Sequence, residues 1–105
     1  MSKKEEVISS ITPAQKQALL AHFNEIYECK ELTDHEYNMI YLAWMWAKGL
    51  VYKLDDGWYE FDEDKAGMSI KDYEVTFEAE PSGGSNLDLF YDYYNLDKMI
   101  KLMDW

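Results

Sequence analysis

The stretch from Tyr73 to Tyr94 constrains this chain most. In Tyr73-Glu74-Val75-Thr76-Phe77-Glu78-Ala79-Glu80 apolar and polar residues alternate without a break, the period of a strand with one face buried. Pro81-Ser82-Gly83-Gly84-Ser85-Asn86 has turn chemistry. Beyond it Leu87, Leu89, Tyr91 and Tyr93 share one face of an extended chain, and Asp88, Phe90, Asp92 and Tyr94 share the other. The spacing predicts a β-hairpin that sets Ala79 opposite Leu89, Phe77 opposite Tyr91 and Val75 opposite Tyr93. Its outward face then carries Glu74, Glu78, Glu80, Asp88 and Asp92, with Phe90 and Tyr94 among them. Glu80 beside Asp88 is a like-charge pairing that costs stability, which hints at a use for the charge. Solubility is the plainer explanation of the same carboxylates.

Two helices are expected before the sheet. Thr12-Pro13-Ala14-Gln15 combines an N-cap, a proline at the first helical position and a glutamine placed to close a capping box. Leu19, Leu20, Phe23, Ile26 and Tyr27 then form one stripe, so this helix should run to about Cys29. Thr33 and Glu36 form a second capping box, and Leu32 with Tyr37 has the spacing of a hydrophobic staple. The helix they start is apolar almost all round through Ala47 and stops at Gly49, which places it at the centre, between the first helix and the sheet. Met1 to Ser10 is assigned no element and is expected to be flexible, with Val7 and Ile8 the one hint of a short helix.

The second half reads as strands. Leu50 to Leu54 and Trp58 to Asp62 flank Asp55-Asp56-Gly57, the residues of a tight hairpin turn. Asp62 to Gly67 is expected to be an acidic loop, and Met68 to Asp72 leads into the main hairpin. Asn95 can cap a short C-terminal helix in which Leu96, Met99, Ile100 and Met103 share a face. The expected fold is therefore a single α+β domain over residues 1–105: two N-terminal helices on a four-stranded, mainly antiparallel sheet, with a short C-terminal helix.

Charge narrows the function classes. The chain carries −11 at pH 7, and all of its basic residues are lysines. Arginine, the usual bidentate reader of phosphate, is absent. Residues 1–49 hold seven acids and five lysines, whereas residues 50–105 hold fourteen acids and five lysines. Such a chain is repelled by nucleic acid and anionic lipid and attracted to basic protein surfaces. A helix-turn-helix DNA reader is rejected, because the second helix offers only Lys48 among apolar residues. With no membrane-length apolar run and no signal core after Lys3 and Lys4, a cytoplasmic location is expected.

Catalytic chemistry is not evident. Cys29 is the single cysteine, which excludes an internal disulfide and a cysteine-rich zinc site. His22 and His35 lack acidic or cysteine partners at ligand spacing, and no serine or cysteine is paired with a base. Asp55-Asp56 and Asp62-Glu63-Asp64 are oxygen donors without a calcium-loop pattern. No enzyme activity, cofactor or metal is expected.

A binding surface is the remaining reading. Side chains on one strand face recur about every 6.6 Å, at roughly 3.3 Å per residue. Two phosphate steps of a DNA strand cover about the same distance, at roughly 3.4 Å each. Glu60, Asp62, Glu74, Glu78, Glu80, Asp88 and Asp92 could imitate a short phosphate track, with Trp58, Phe90 and Tyr94 as aromatic anchors, and Asp55, Asp56, Glu63 and Asp64 are expected to belong to the same partner-binding surface. In size, acidity and aromatic richness the chain resembles the small acidic phage proteins that counter bacterial restriction or CRISPR systems. That resemblance implies a non-enzymatic inhibitor of a basic, nuclease-type partner. An immunity protein or antitoxin, and an adaptor whose acidity serves solubility only, are the alternatives.

Overall fold

The structure, a computed structural model, describes residues 3–53, 59–67 and 90–105, and the side chains of residues 52, 53 and 59–61 lie outside that description. Both capping boxes start helices where expected. The Thr12 hydroxyl accepts from the Gln15 N–H at 3.2 Å while the Gln15 side chain accepts from the Thr12 N–H at 2.9 Å, opening α2 (Pro13–Ile26). Glu36 likewise reaches back to the Thr33 N–H at 3.0 Å at the start of α3 (Asp34–Ala47). Each box gives otherwise orphaned helix-end donors a partner. Gly49, at φ +73°, ends α3 in the left-handed conformation that glycine adopts without a Cβ penalty.

A helix also occupies the N-terminal stretch that the sequence left unassigned: α1 (Lys3–Ser9) buries Val7 and lies against α3. Val7 and Ile11 join the core, so the stretch has a surface to fold on that its own pattern does not reveal.

The short hairpin is present. β1 (Val51–Lys53) and β2 (Tyr59–Phe61) pair antiparallel, Val51 opposite Phe61, Tyr52 opposite Glu60 and Lys53 opposite Tyr59. Beyond it the expected acidic loop is instead a helical turn, α4 (Glu63–Ala66), capped by Asp62 through a 3.0 Å bond from the Lys65 N–H and ended by Gly67 at φ +64°. The residues follow helix grammar in miniature: an N-cap acid, acids in the first turn, lysine in the last and glycine after it.

The expected α+β fold with a four-stranded sheet is overturned. Helices dominate the described residues, and the one sheet among them has two strands of three residues each. Residues 90–93, expected to be strand, are helical, and the Tyr94 N–H bonds to the Phe90 carbonyl at 3.0 Å. The alternation there fits two periods at once. Phe90 and Tyr94 lie four apart, and read as helix they share a face that packs on the core. The strand expected from Tyr73 to Glu80, its turn and Leu87 to Leu89 lie outside the described residues.

The last helix, α5 (Leu96–Met103), starts as expected at Asn95, whose side chain accepts from the Lys98 N–H at 3.3 Å. Asn95 itself is left-handed, at φ +48°, and this separates the helical turn at 90–93 from α5. Leu96, Met99 and Met103 are buried, and α5 packs on both α2 and α3. The centre of the molecule is α3, as its composition predicted: Met39 to Ala43 and Met45 are buried, and among the described residues α1, α5 and β1 pack on it.

Candidate functional site

The residues proposed for partner binding divide into four groups, apart from Phe90 and Tyr94. Asp55, Asp56, Trp58, Glu74, Glu78, Glu80 and Asp88 lie outside the described residues. Glu60 is placed by its backbone in β2, opposite Tyr52. Asp62, Glu63 and Asp64 come together on α4, where Asp62 is partly committed to capping and Glu63 and Asp64 are exposed. Asp92 is exposed on the helical turn at 90–93, so it leaves the strand column in which the sequence placed it. Glu63, Asp64 and Asp92 make no ion pair among the described residues.

The aromatic anchors are corrected. Phe90 is half-buried against the core, and Tyr94 is buried at 9 % exposure, whereas Tyr93, expected to point inward, is 56 % exposed. An i, i+4 helical face puts Phe90 and Tyr94 inward together and turns Tyr93 out.

Tyr94 instead ties the helices together. Its carbonyl accepts from His22 Nε2 of α2 at 2.6 Å, and its hydroxyl lies 2.8 Å from His35 Nε2 of α3. Its ring meets Phe23 edge-on at 6.1 Å and Tyr27 at 6.4 Å. Since a carbonyl only accepts, the His22 proton sits on Nε2, and the buried Nδ1 has no hydrogen-bond partner among the described residues. Burial also pushes the Tyr94 phenol above its usual range. The two histidines and Tyr94 stand 72 and 59 residues apart, a separation at which no local spacing signals the contact.

A second polar cluster closes the α2–α3 turn. The buried Glu36 carboxylate accepts from the Thr33 hydroxyl at 2.8 Å and the Tyr27 hydroxyl at 3.0 Å, and Cys29 Sγ lies 3.7 Å away. Burial opposes the charge on Glu36, but the bonds from Thr33 and Tyr27 outweigh it and hold the carboxyl below its usual range. Burial, with Glu36 beside it, pushes the Cys29 thiol up, so the thiol stays protonated and donates to the Glu31 carbonyl at 3.2 Å. A carboxylate whose lone pairs are taken and a thiol kept neutral hold a turn in shape; they are poorly arranged as base and nucleophile. Among the described residues no group of three acidic, histidine or cysteine side chains is placed to hold a metal ion, and no helix is long and apolar enough to cross a membrane.

No protein-family model, curated protein or solved structure matches the chain.

Proposed function

We propose that this chain is a non-enzymatic acidic binding protein that occupies the basic, nucleic-acid-facing surface of a nuclease-type partner in the cytoplasm. The observation that carries the reading is the charge asymmetry: fourteen acids against five lysines in residues 50–105, in a chain with no arginine. Glu63, Asp64 and Asp92 support it, because they are exposed and not neutralised by described lysines. Three other lysines are already paired with carboxylates: Lys4 with Asp34 at 3.1 Å, Lys98 with Glu25 at 2.8 Å and Lys101 with Asp97 at 3.2 Å. Long-range attraction would speed the encounter with a basic surface and restrict the choice of partner.

A low-salt affinity capture followed by reconstitution with the purified partner tests this. The retained protein should be basic and nucleic-acid-binding, its nuclease activity should fall on addition of the chain, and its affinity should weaken about tenfold or more between roughly 0.05 and 0.3 M salt as screening shortens the reach of charge. Retention of no basic protein, or an affinity indifferent to salt, contradicts the proposal.

A further inference from the structure

Helices α1, α3 and α4 meet around an open cavity of about 570 Å³ that sets a cationic patch into an acidic protein. Lys3 of α1, Lys48 just after α3 and Lys65 of α4 line it together with Trp44. The lining also includes Glu6 and Asp64, so three lysines face two carboxylates in a chain whose net charge is −11. Glu6 is paired with Lys3 at 3.6 Å, whereas Lys48 and Lys65 make no ion pair among the described residues.

The cavity is a consequence of how the three elements are locked. Gly67 closes α4 so near to α1 that a Cβ there would stand 2.9 Å from Lys3 Cβ. The buried Tyr41 hydroxyl of α3 donates to the Ala66 carbonyl, which fixes α4 from the other side. Trp44 stacks on Tyr41, with ring centroids 5.6 Å apart and planes within 11°, and Lys3 Nζ lies 5.8 Å from the Trp44 ring centroid. An indole held flat against Tyr41, in a lining that also carries Lys3, Lys48 and Lys65, suits a ligand that joins an aromatic ring to a concentrated negative charge. The volume falls in the range of small-molecule sites, about 300–1,000 Å³.

We propose that this cavity binds a nucleotide-type ligand, its base against Trp44 and its phosphates between Lys48, Lys65 and Lys3. This site adjoins the acidic surface proposed to meet a protein partner, sharing Asp64 of α4 with it, and it takes the opposite charge. The repulsion of distant carboxylates is screened over roughly 8 Å at physiological salt, and in the lining itself the lysines outnumber the carboxylates Glu6 and Asp64.

The test is calorimetric titration of the full chain with ATP, adenosine and tripolyphosphate in metal-free buffer, with the Trp44 indole N–H followed by NMR. ATP should bind saturably and shift the Trp44 signal, and adenosine and tripolyphosphate should each bind at least about tenfold more weakly, about 1.4 kcal/mol. K48E/K65E should lose ATP binding, while K16E/K30E, which changes net charge equally at another face, should keep its affinity within about twofold. Circular dichroism should show both variants folded. No saturable ATP binding, tripolyphosphate binding as tight as ATP, or an affinity unchanged in K48E/K65E would each overturn the proposal.

Discussion

The α2–α3–α5 body and the β1–β2–α4 edge are built on opposite rules. In the body, inward polar groups bond across elements: Glu36 takes bonds from Thr33 and Tyr27, and the backbone and hydroxyl of Tyr94 each meet a histidine from a different helix, while His22 Nδ1 and Asn38 Oδ1 have no partner among the described residues. At the edge the elements are three or four residues long, and Glu63 and Asp64 face solvent. Buried polar bonds specify one arrangement of helices, because any other leaves a desolvated group without a partner. Exposed carboxylates specify nothing about the fold, which leaves them open to selection for encounter with a partner.

The largest effect should come from the body. Phe23 is fully buried beneath Tyr94 and Tyr27, so Phe23→Ala should cost about 3–5 kcal/mol, read as a fall in the denaturant midpoint. A cost below about 1 kcal/mol would mean that the aromatic cluster does not hold α2 to the C-terminal segment.

Next comes the seam between the edge and α1. Gly67 is left-handed and leaves no room for a Cβ against Lys3, so Gly67→Ala should destabilise by about 1–3 kcal/mol, whereas Gly49→Ala meets no atom and should lose only about 1 kcal/mol, from its positive φ. Equal losses at the two glycines would show that α1 does not rest on α4.

Glu36 gives a smaller effect with a definite pH signature. Its folded pKa is lowered, so its stabilisation is present above the unfolded value near about 4.3 and is lost as pH falls through the folded value. Glu36→Gln should lower stability by about 1–2 kcal/mol at neutral pH and flatten the loss that sets in as pH falls below the unfolded value. Parallel acid-unfolding profiles for the two proteins would remove Glu36 from the account.

The same contrast explains what could be read from sequence. Thr12 with Gln15, Thr33 with Glu36, Gly49 and Asn95 act within one turn of chain, and each of these boundaries stands where the residues put it. The pairing of the strands on either side of Asp55-Asp56-Gly57 was legible for the same reason. Phe90 to Tyr94 was not, because its alternation satisfies strand and helix alike and only the packing of Phe90 and Tyr94 on the core separates them. Asp62 to Gly67 carried helix signals too short to outweigh its acidity. The acidity was legible as composition, but the placement of Asp92 and the burial of Tyr94 follow from the helical turn that the alternation concealed.

The division of labour between body and edge is tested most directly by neutralising the exposed carboxylates and reading stability and binding on the same samples. Glu63→Gln, Asp64→Asn and Asp92→Asn leave every described ion pair and the Asp62 cap in place. The combined variant should unfold within about 0.5 kcal/mol of the parent and bind the captured partner at least about fivefold more weakly at low salt. An unchanged affinity in a folded variant would contradict the claim that these carboxylates meet the partner.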